Sequence, residues 1–462
     1  MPGRLRFTVF AALFGVALAT RFCHLGILWA EEGLPMAAGA QMARGAVLYR
    51  DIWFDKPPLL AAFYWVHPAW LVRLEGALYV LLAAALAWRF ARDLWGEQEG
   101  LWAAGLLAFF LTFDFPSAVI PLASDLLMLA PHIAAVWLAW RGRAFWSGAA
   151  AGLAFLFSSK AVFVGAACAL WCWRSLPWLV LGFAAPNAVA AAWLWSEGAL
   201  GACVDQVWKW GRLYAGGTFV EHPFQHGAVR TANWLGFHAA LVVAALALVR
   251  SRMTAGRWRF AVWGALSLMA AAAGWRFFPR YYFQILPVLV LVASRGMVLL
   301  GRRRTVALAL LLIPLARFGP RYVLLAAGRS GEWADTAMDR DSRQAAQLAR
   351  RIAPPDAAVF VWGFRPEMYI YTGMPAAARF LDSQPLTGVP ADRHLKQSAP
   401  LAPGLAAANR RELTRTHPGI IMDGLGPLNP RLAIGAYPDL HDWLARYRAV
   451  GRTGMTVIYK LQ

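Results

Sequence analysis

Over residues 1–325, long apolar runs alternate with short clusters of arginine. A helix that crosses a membrane needs about 20 mostly apolar residues. On that measure the pattern predicts eleven spans, at 6–28, 57–90 with a break near Pro68, 100–113, 118–140, 144–158, 161–174, 176–195, 232–250, 258–275, 281–300 and 304–321. The runs 144–158 and 161–174 read as two helices parted at Ser158-Ser159-Lys160. With that count every short loop on one side is basic: Arg4 and Arg6; Arg89 and Arg92; Arg141 and Arg143; Arg174; Arg250, Arg252, Arg257 and Arg259; Arg302, Arg303 and Arg304. The positive-inside rule puts these loops and the N-terminus in the cytoplasm. It puts 29–56, 196–231, 276–280 and everything after about 322 on the outer side.

From residue 329 the charge rises and the spanning runs stop. An amphipathic segment at 340–353 precedes a strand at 357–362, a helix at 404–416 precedes a strand at 419–423, and a helix at 439–449 precedes a strand at 456–459. The expected organisation is therefore an all-α polytopic membrane domain, 1–328, followed by a small α/β extracytoplasmic domain, 329–462, of two or three layers. Arg4 and Arg6 before an apolar stretch with Ala17-Leu18-Ala19 have the form of a signal peptide. An uncleaved first helix is the expectation, because the motif that follows needs holding at the membrane surface.

Composition agrees with the pattern. The chain of 462 residues is 59% hydrophobic and 15% charged, where a soluble chain carries about 25% charged residues. Its net charge of +20 lies mainly in the loops between apolar runs, which is the signature of anchoring to anionic lipid; a nucleic-acid partner is not expected. Cys23, Cys168, Cys172 and Cys203 form no metal-binding spacing and read as packing residues. No metal site and no cofactor is expected.

The first outer loop carries the densest chemistry: Trp29-Ala30-Glu31-Glu32-Gly33, then Gly39-Ala40-Gln41, Gly45, Tyr49-Arg50-Asp51, and Asp55-Lys56-Pro57-Pro58-Leu59. Two carboxylates follow the first span, and a lysine stands where two prolines open the next helix. A helix start beside an ammonium is a place to hold a phosphate; an interfacial loop with solvated charges has the same sequence. Charges inside spans are costly and count as functional candidates. These are Arg73 in the second span, Asp125 near the outer end of the fourth, and Lys160 after a run with Gly148 and Gly152; mutual pairing of Asp125 and Lys160 is the structural alternative. Arg276-Phe277-Phe278-Pro279-Arg280-Tyr281-Tyr282 forms another outer loop. Trp208, Trp210 and Tyr214 read either as a sugar-stacking surface or as interfacial anchors. The turn Gly363-Phe364-Arg365-Pro366-Glu367 reads as a surface turn after a strand.

In this order the blocks resemble the polyprenyl-phosphate-sugar-dependent glycosyltransferases of the GT-C fold, family 39 and the aminoarabinose-transferase-like group. The resemblance is specific over 29–60 and continues more weakly to about 325. It implies a multi-pass enzyme of the cytoplasmic (inner) membrane whose active site faces outward. Its donor would be a lipid-linked sugar, a polyprenyl phosphate bearing one sugar, and its acceptor a glycan, lipid or protein. Glu31 or Glu32 would be the catalytic base, and Lys56, Arg280 and Tyr281 would contact the donor phosphate. Asp55, Arg73, Asp125, Lys160 and Arg276 are further polar site candidates. The family opens with Asp-Glu where this chain has Glu31-Glu32, and the stretch from Pro58 to Arg73 is short for it. Outside the resemblance, many helices with buried charge also describe a transporter or lipid flippase, and an inactive scaffold built on this fold is the third reading.

Overall fold

The computed structural model of the protein describes residues 2–65, 68–114, 119–217, 220–251, 257–329, 333–354 and 356–462. The chain forms two compact units. The first comprises Met1–Gly26, Pro68–Ala191 and Val220–Ser330; the second comprises Ile27–His67, Ala192–Phe219 and Gly331–Gln462.

The first unit is helical, and every apolar run overlaps a helix. Among the described residues, four helices are long and apolar enough to cross a membrane: Gly3–Phe22, Ala69–Trp95, Trp173–Ser196 and Gly301–Ala326. Pro223–Phe237 and Ala239–Arg250, bent by 88° at His238, make a fifth if taken as one broken span. The other expected spans are shorter apolar helices, Ser124–Trp140, Ala144–Phe157, Ser159–Trp171, Trp258–Ala272 and Leu286–Leu299, together with Glu97–Phe110. Ser158 is extended between Ala144–Phe157 and the helical segment that follows, and Gly96 at φ +129° turns the chain between Ala69–Trp95 and Glu97–Phe110. The chain is a multi-pass membrane protein. Arg252, one of the expected cytoplasmic arginines, lies outside the described residues.

The second expected span is corrected. The long helix is Ala69–Trp95 with Pro68 as its N-cap, and Pro58–Phe63 is a separate six-residue helix of the second unit. The cause is proline chemistry: the ring fixes φ and disfavours helix in the residue before it.

The second unit is built on a four-stranded sheet of β1 (Val359–Trp362), β2 (Ile420–Asp423), β3 (Tyr447–Arg452) and β4 (Val457–Leu461), in the order β1-β2-β4-β3. β1 and β2 are parallel, while β4 runs antiparallel to both β2 and β3. The parallel pair, β1 at one edge of the sheet and β2 beside it, is buried at every position, which fits a sheet covered on both faces. Phe360, Trp362 and Ile421 join a core with Leu413, Trp443 and Tyr447, and the helix Ala334–Ile352 packs against β2 and β4. The expected helix at 439–449 is corrected: a short turn of helix, His441–Leu444, gives way to β3. Trp443 and Tyr447, four apart, imitate a helical stripe, but both enter the core from a chain that is already reversing.

The contiguous boundary at 328/329 is also amended, since two earlier loops belong with the sheet. Leu28 N donates to Asp339 at 3.0 Å, Ala376 N donates to the Gln41 side chain at 3.1 Å, and Trp53 N donates to Arg379 O at 2.7 Å. Trp53 and Trp210 stack edge to face, with centroids 5.7 Å apart, inside the sheet's core. Trp210 is thus a core residue and not a sugar platform.

Candidate functional site

In the second unit, the first-loop motif resolves into a scaffold and what it presents. Glu31 and Glu32 lie in the first turn of the helix Ala30–Met42, where carboxylates are favoured by the exposed N–H groups. Glu32 is buried and Glu31 half-buried. Gly33 follows because a Cβ there would come within 3.1 Å of Glu367 N, and Gly39 because a Cβ would come within 2.5 Å of Tyr64 O. These two glycines let the helix press against its neighbours. Gln41 ties it to the sheet module, and Arg44 donates to Gly373 O at 2.9 Å.

The Tyr-Arg-Asp block makes a turn that delivers the lysine. Tyr49 is fully buried at φ +68°, a left-handed conformation costly for a bulky residue. Its hydroxyl donates to Lys56 O at 2.6 Å. Gln206, in the π-helical turn Val204–Lys209, donates to Tyr49 O at 2.7 Å and accepts from Phe54 N at 2.8 Å. Asp51 accepts from Val47 N at 2.9 Å and pairs with Arg50. Both ends of the 49–56 loop are thereby held. Lys56 Nζ lies 3.1 Å from Asp55 Oδ2, its side chain 40% exposed while that of Asp55 is 7% exposed. The helix beyond it has only six residues, so the ammonium, more than the helix end, supplies positive charge there.

Asp382, fully buried, lies close enough to Asp55 and Lys56 to feel their charges, and Ser383, also fully buried, follows it in the chain. Among the described residues Asp55 Oδ1, Asp382 Oδ2 and Ser383 Oγ are buried with no hydrogen-bond partner, while Asp382 Oδ1 accepts from Gln384 N at 2.8 Å. Burial, and after it the charge of Asp55, push the Asp382 carboxyl up to about 7. Neither residue carries a motif that sequence reasoning could use.

The membrane unit gathers a second set. Asp125, in the first turn of Ser124–Leu127, meets two cations: Lys160 Nζ at 3.6 Å from Oδ1 and Arg280 Nε at 3.5 Å from Oδ2. The Lys160 ammonium lies over the Tyr281 ring, and the Arg280 guanidinium is 5.7 Å from that ring's centre. Four residues from three separate stretches of the chain are thus brought together, and Asp125 and Lys160 do pair. Arg276 is buried three residues before Pro279–Gln284. Arg73, 1% exposed, is grouped with Arg21 and Arg321 around His24. The rule that charges inside spans are functional candidates would have flagged Arg21 and Arg321 as well.

The turn 363–367 is not at the surface. Arg365, 2% exposed, donates to Asp341 at 2.9 Å, to Thr456 at 3.0 Å and to Met338 O at 2.7 Å. Burial raises the Glu367 carboxyl, which accepts from Ser342 at 2.5 Å. This lattice locks the helix Ala334–Ile352 to the sheet. Among the described residues, no group of three or more His, Cys, Asp or Glu side chains is placed to hold a metal ion.

No protein-family model and no curated protein matches the sequence. Among solved structures, the chain is similar to ArnT from Cupriavidus metallidurans bound to undecaprenyl phosphate, at 14% identity and a TM-score of 0.61, covering 98% of this chain and 97% of that one. The same protein in the apo state matches at 14% identity and 0.61, over 99% and 98%. The archaeal oligosaccharyltransferase AglB from Archaeoglobus fulgidus, in complex with an inhibitory peptide and a dolichol-phosphate, matches at 13% identity and 0.50, over 99% of this chain and 74% of its own. The likeness establishes the fold, which is that of the GT-C membrane glycosyltransferases, as the motif order implied.

Proposed function

We propose that the protein is an integral membrane glycosyltransferase that moves one sugar from a polyprenyl-phosphate donor to an extracytoplasmic acceptor with inversion at the anomeric carbon. The observation that carries this reading is the way the second unit presents Lys56: a buried, left-handed Tyr49 and a bridging Gln206 hold a loop whose end is an accessible ammonium. Such a scaffold supports an anion-binding role more than an incidental surface charge. The GT-C fold, found over nearly the whole length of ArnT, supports a lipid-linked donor.

In this reading an acceptor hydroxyl attacks the anomeric carbon while the carbon–oxygen bond to the donor phosphate breaks. Its proton passes to Glu31 or Glu32, and the bonding pair leaves with the polyprenyl phosphate. Lys56 stabilises the charge that gathers there; Arg280 and Tyr281 are the phosphate-contact candidates of the membrane unit. Arg276 and Lys160 add positive charge, and Asp125 and Asp55 orient the cations they meet. The enzyme belongs to the cytoplasmic membrane with its N-terminus inside, since the arginine clusters fall on alternate loops.

The test is incubation of the purified protein in lipid with labelled polyprenyl-phosphate monosaccharides and a membrane extract. Consumption of one donor, lost in Lys56→Ala, is expected and names the sugar. Labelled lipid crossing vesicles without donor consumption would replace this reading with a flippase.

A further inference from the structure

Three arginines and a histidine are buried together in the membrane unit, and none belongs to the Asp125 group. Arg21 and His24 stand at the end of the first helix, Arg73 in the first turns of Ala69–Trp95, and Arg321 near the end of Leu312–Ala326. Their exposures are 1%, 1%, 1% and 3%. His24 is within electrostatic reach of Arg73, Arg21 and Arg321, and Arg321 Nη2 donates to the Tyr322 hydroxyl at 2.5 Å. The Arg21 guanidinium rests against Ala69–Trp95 at Gly76, where a Cβ would lie 3.5 Å from its Cζ. Backbone carbonyls aim two of the arginines: Arg21 Nη1 donates to Ile120 O at 2.5 Å, and Arg321 Nη2 to Thr112 O at 2.7 Å. Among the described residues neither ring nitrogen of the buried His24 has a hydrogen-bond partner.

A buried polar atom without a partner costs about 1–3 kcal/mol, and charges inside a membrane protein are retained where they are used. Guanidinium forks match the oxygens of phosphate, and an imidazole adds a further donor. Forks from three helices suit the several oxygens of a phosphate better than the two of a carboxylate.

We propose that Arg21, His24, Arg73 and Arg321 form a phosphate-binding site in the membrane unit, distinct from the Asp125, Lys160 and Arg280 group, which takes either the phosphate of a membrane-lipid headgroup or free phosphate. This assignment does not depend on the glycosyltransferase reading.

The test uses the full-length protein in neutral detergent, with two probes: radiolabelled orthophosphate by equilibrium dialysis, and phosphatidylglycerol by native mass spectrometry. Arg73→Gln and Arg321→Gln are expected to weaken retention of one probe about tenfold, and His24→Gln several-fold at unchanged helix content. Arg302→Gln, on an exposed loop, is expected to bind as wild type does. The probe that is lost identifies the source of the phosphate. Arg280→Gln is expected to leave this site filled. Binding that is lost in Arg280→Gln but kept in Arg73→Gln and His24→Gln would assign all phosphate to the other group and overturn the proposal, as would no binding of either probe. If the arginine variants fail to fold, His24→Gln decides.

Discussion

Lys56 and Lys160 carry the same charge and each meets an aspartate, yet their surroundings differ. Lys160 is 17% exposed and lies 3.6 Å from Asp125, with Arg280 on the other carboxylate oxygen and the Tyr281 ring against its ammonium. Lys56 is 40% exposed, 3.1 Å from Asp55, at the end of a loop pinned by Tyr49 and Gln206. In the helical unit the surroundings are apolar, so any charge must find partners and pairing by itself says little about use. In the second unit water would solvate a lysine wherever it stood. An elaborate hold on an accessible ammonium therefore distinguishes a residue that is presented from one that is merely compensated.

Substitutions can break this comparison. The largest effect is expected at the acidic pair: one of Glu31→Gln and Glu32→Gln should lower donor turnover by about 10² to 10⁴, and wild-type turnover in both would remove the base from this pair. Lys56→Ala should follow with a loss of about 10² to 10³ and a smaller drop in melting temperature than Asp125→Asn, because the lysine side of the pair is 40% exposed and water reaches the vacated face of Asp55. Asp125→Asn should do the reverse to stability, leaving Lys160 and Arg280 uncompensated at a cost of about 3–5 kcal/mol in unfolding measurements. A stable Asp125→Asn protein, or a Lys56→Ala protein that melts early, would erase the distinction.

Smaller effects sharpen it. The Asp382 carboxyl sits at about 7 in the folded protein against 3.8 ordinarily. Its contribution to stability is therefore complete below the lower value and lost as pH rises through the upper one. Asp382→Asn, which keeps an acceptor for Gln384 N, should flatten that decline, with a gain over wild type above pH ~7 of at most about 4 kcal/mol. Denaturation across this pH range checks the sign. Gly39→Ala, whose new Cβ would meet Tyr64 O at 2.5 Å, should cost about 1–3 kcal/mol, read as an earlier melting transition.

The apolar runs were legible because a membrane demands length and hydrophobicity from contiguous residues, and the pair Glu31-Glu32 and the Asp55-Lys56 step were legible because each is local. Helix 439–449 was misread because Trp443 and Tyr447 keep helical spacing while the chain turns into β3. Trp210 reads as an interfacial tryptophan until Trp53 packs against it. Arg365 reads as a turn residue until Asp341, Ser342 and Thr456 close around it.

The sequence by itself determined that this chain is a multi-pass helical protein with a terminal α/β module, because periodicity, run length and charge placement are properties of neighbouring residues. Only the tertiary structure decided that residues 27–67 and 192–219 belong with that module. It alone placed Lys160 and Arg280 on the one carboxylate of Asp125, and His24 among three arginines. Those facts join residues up to several hundred positions apart, and such contacts are chosen by which surfaces can be buried together, a choice no local pattern records.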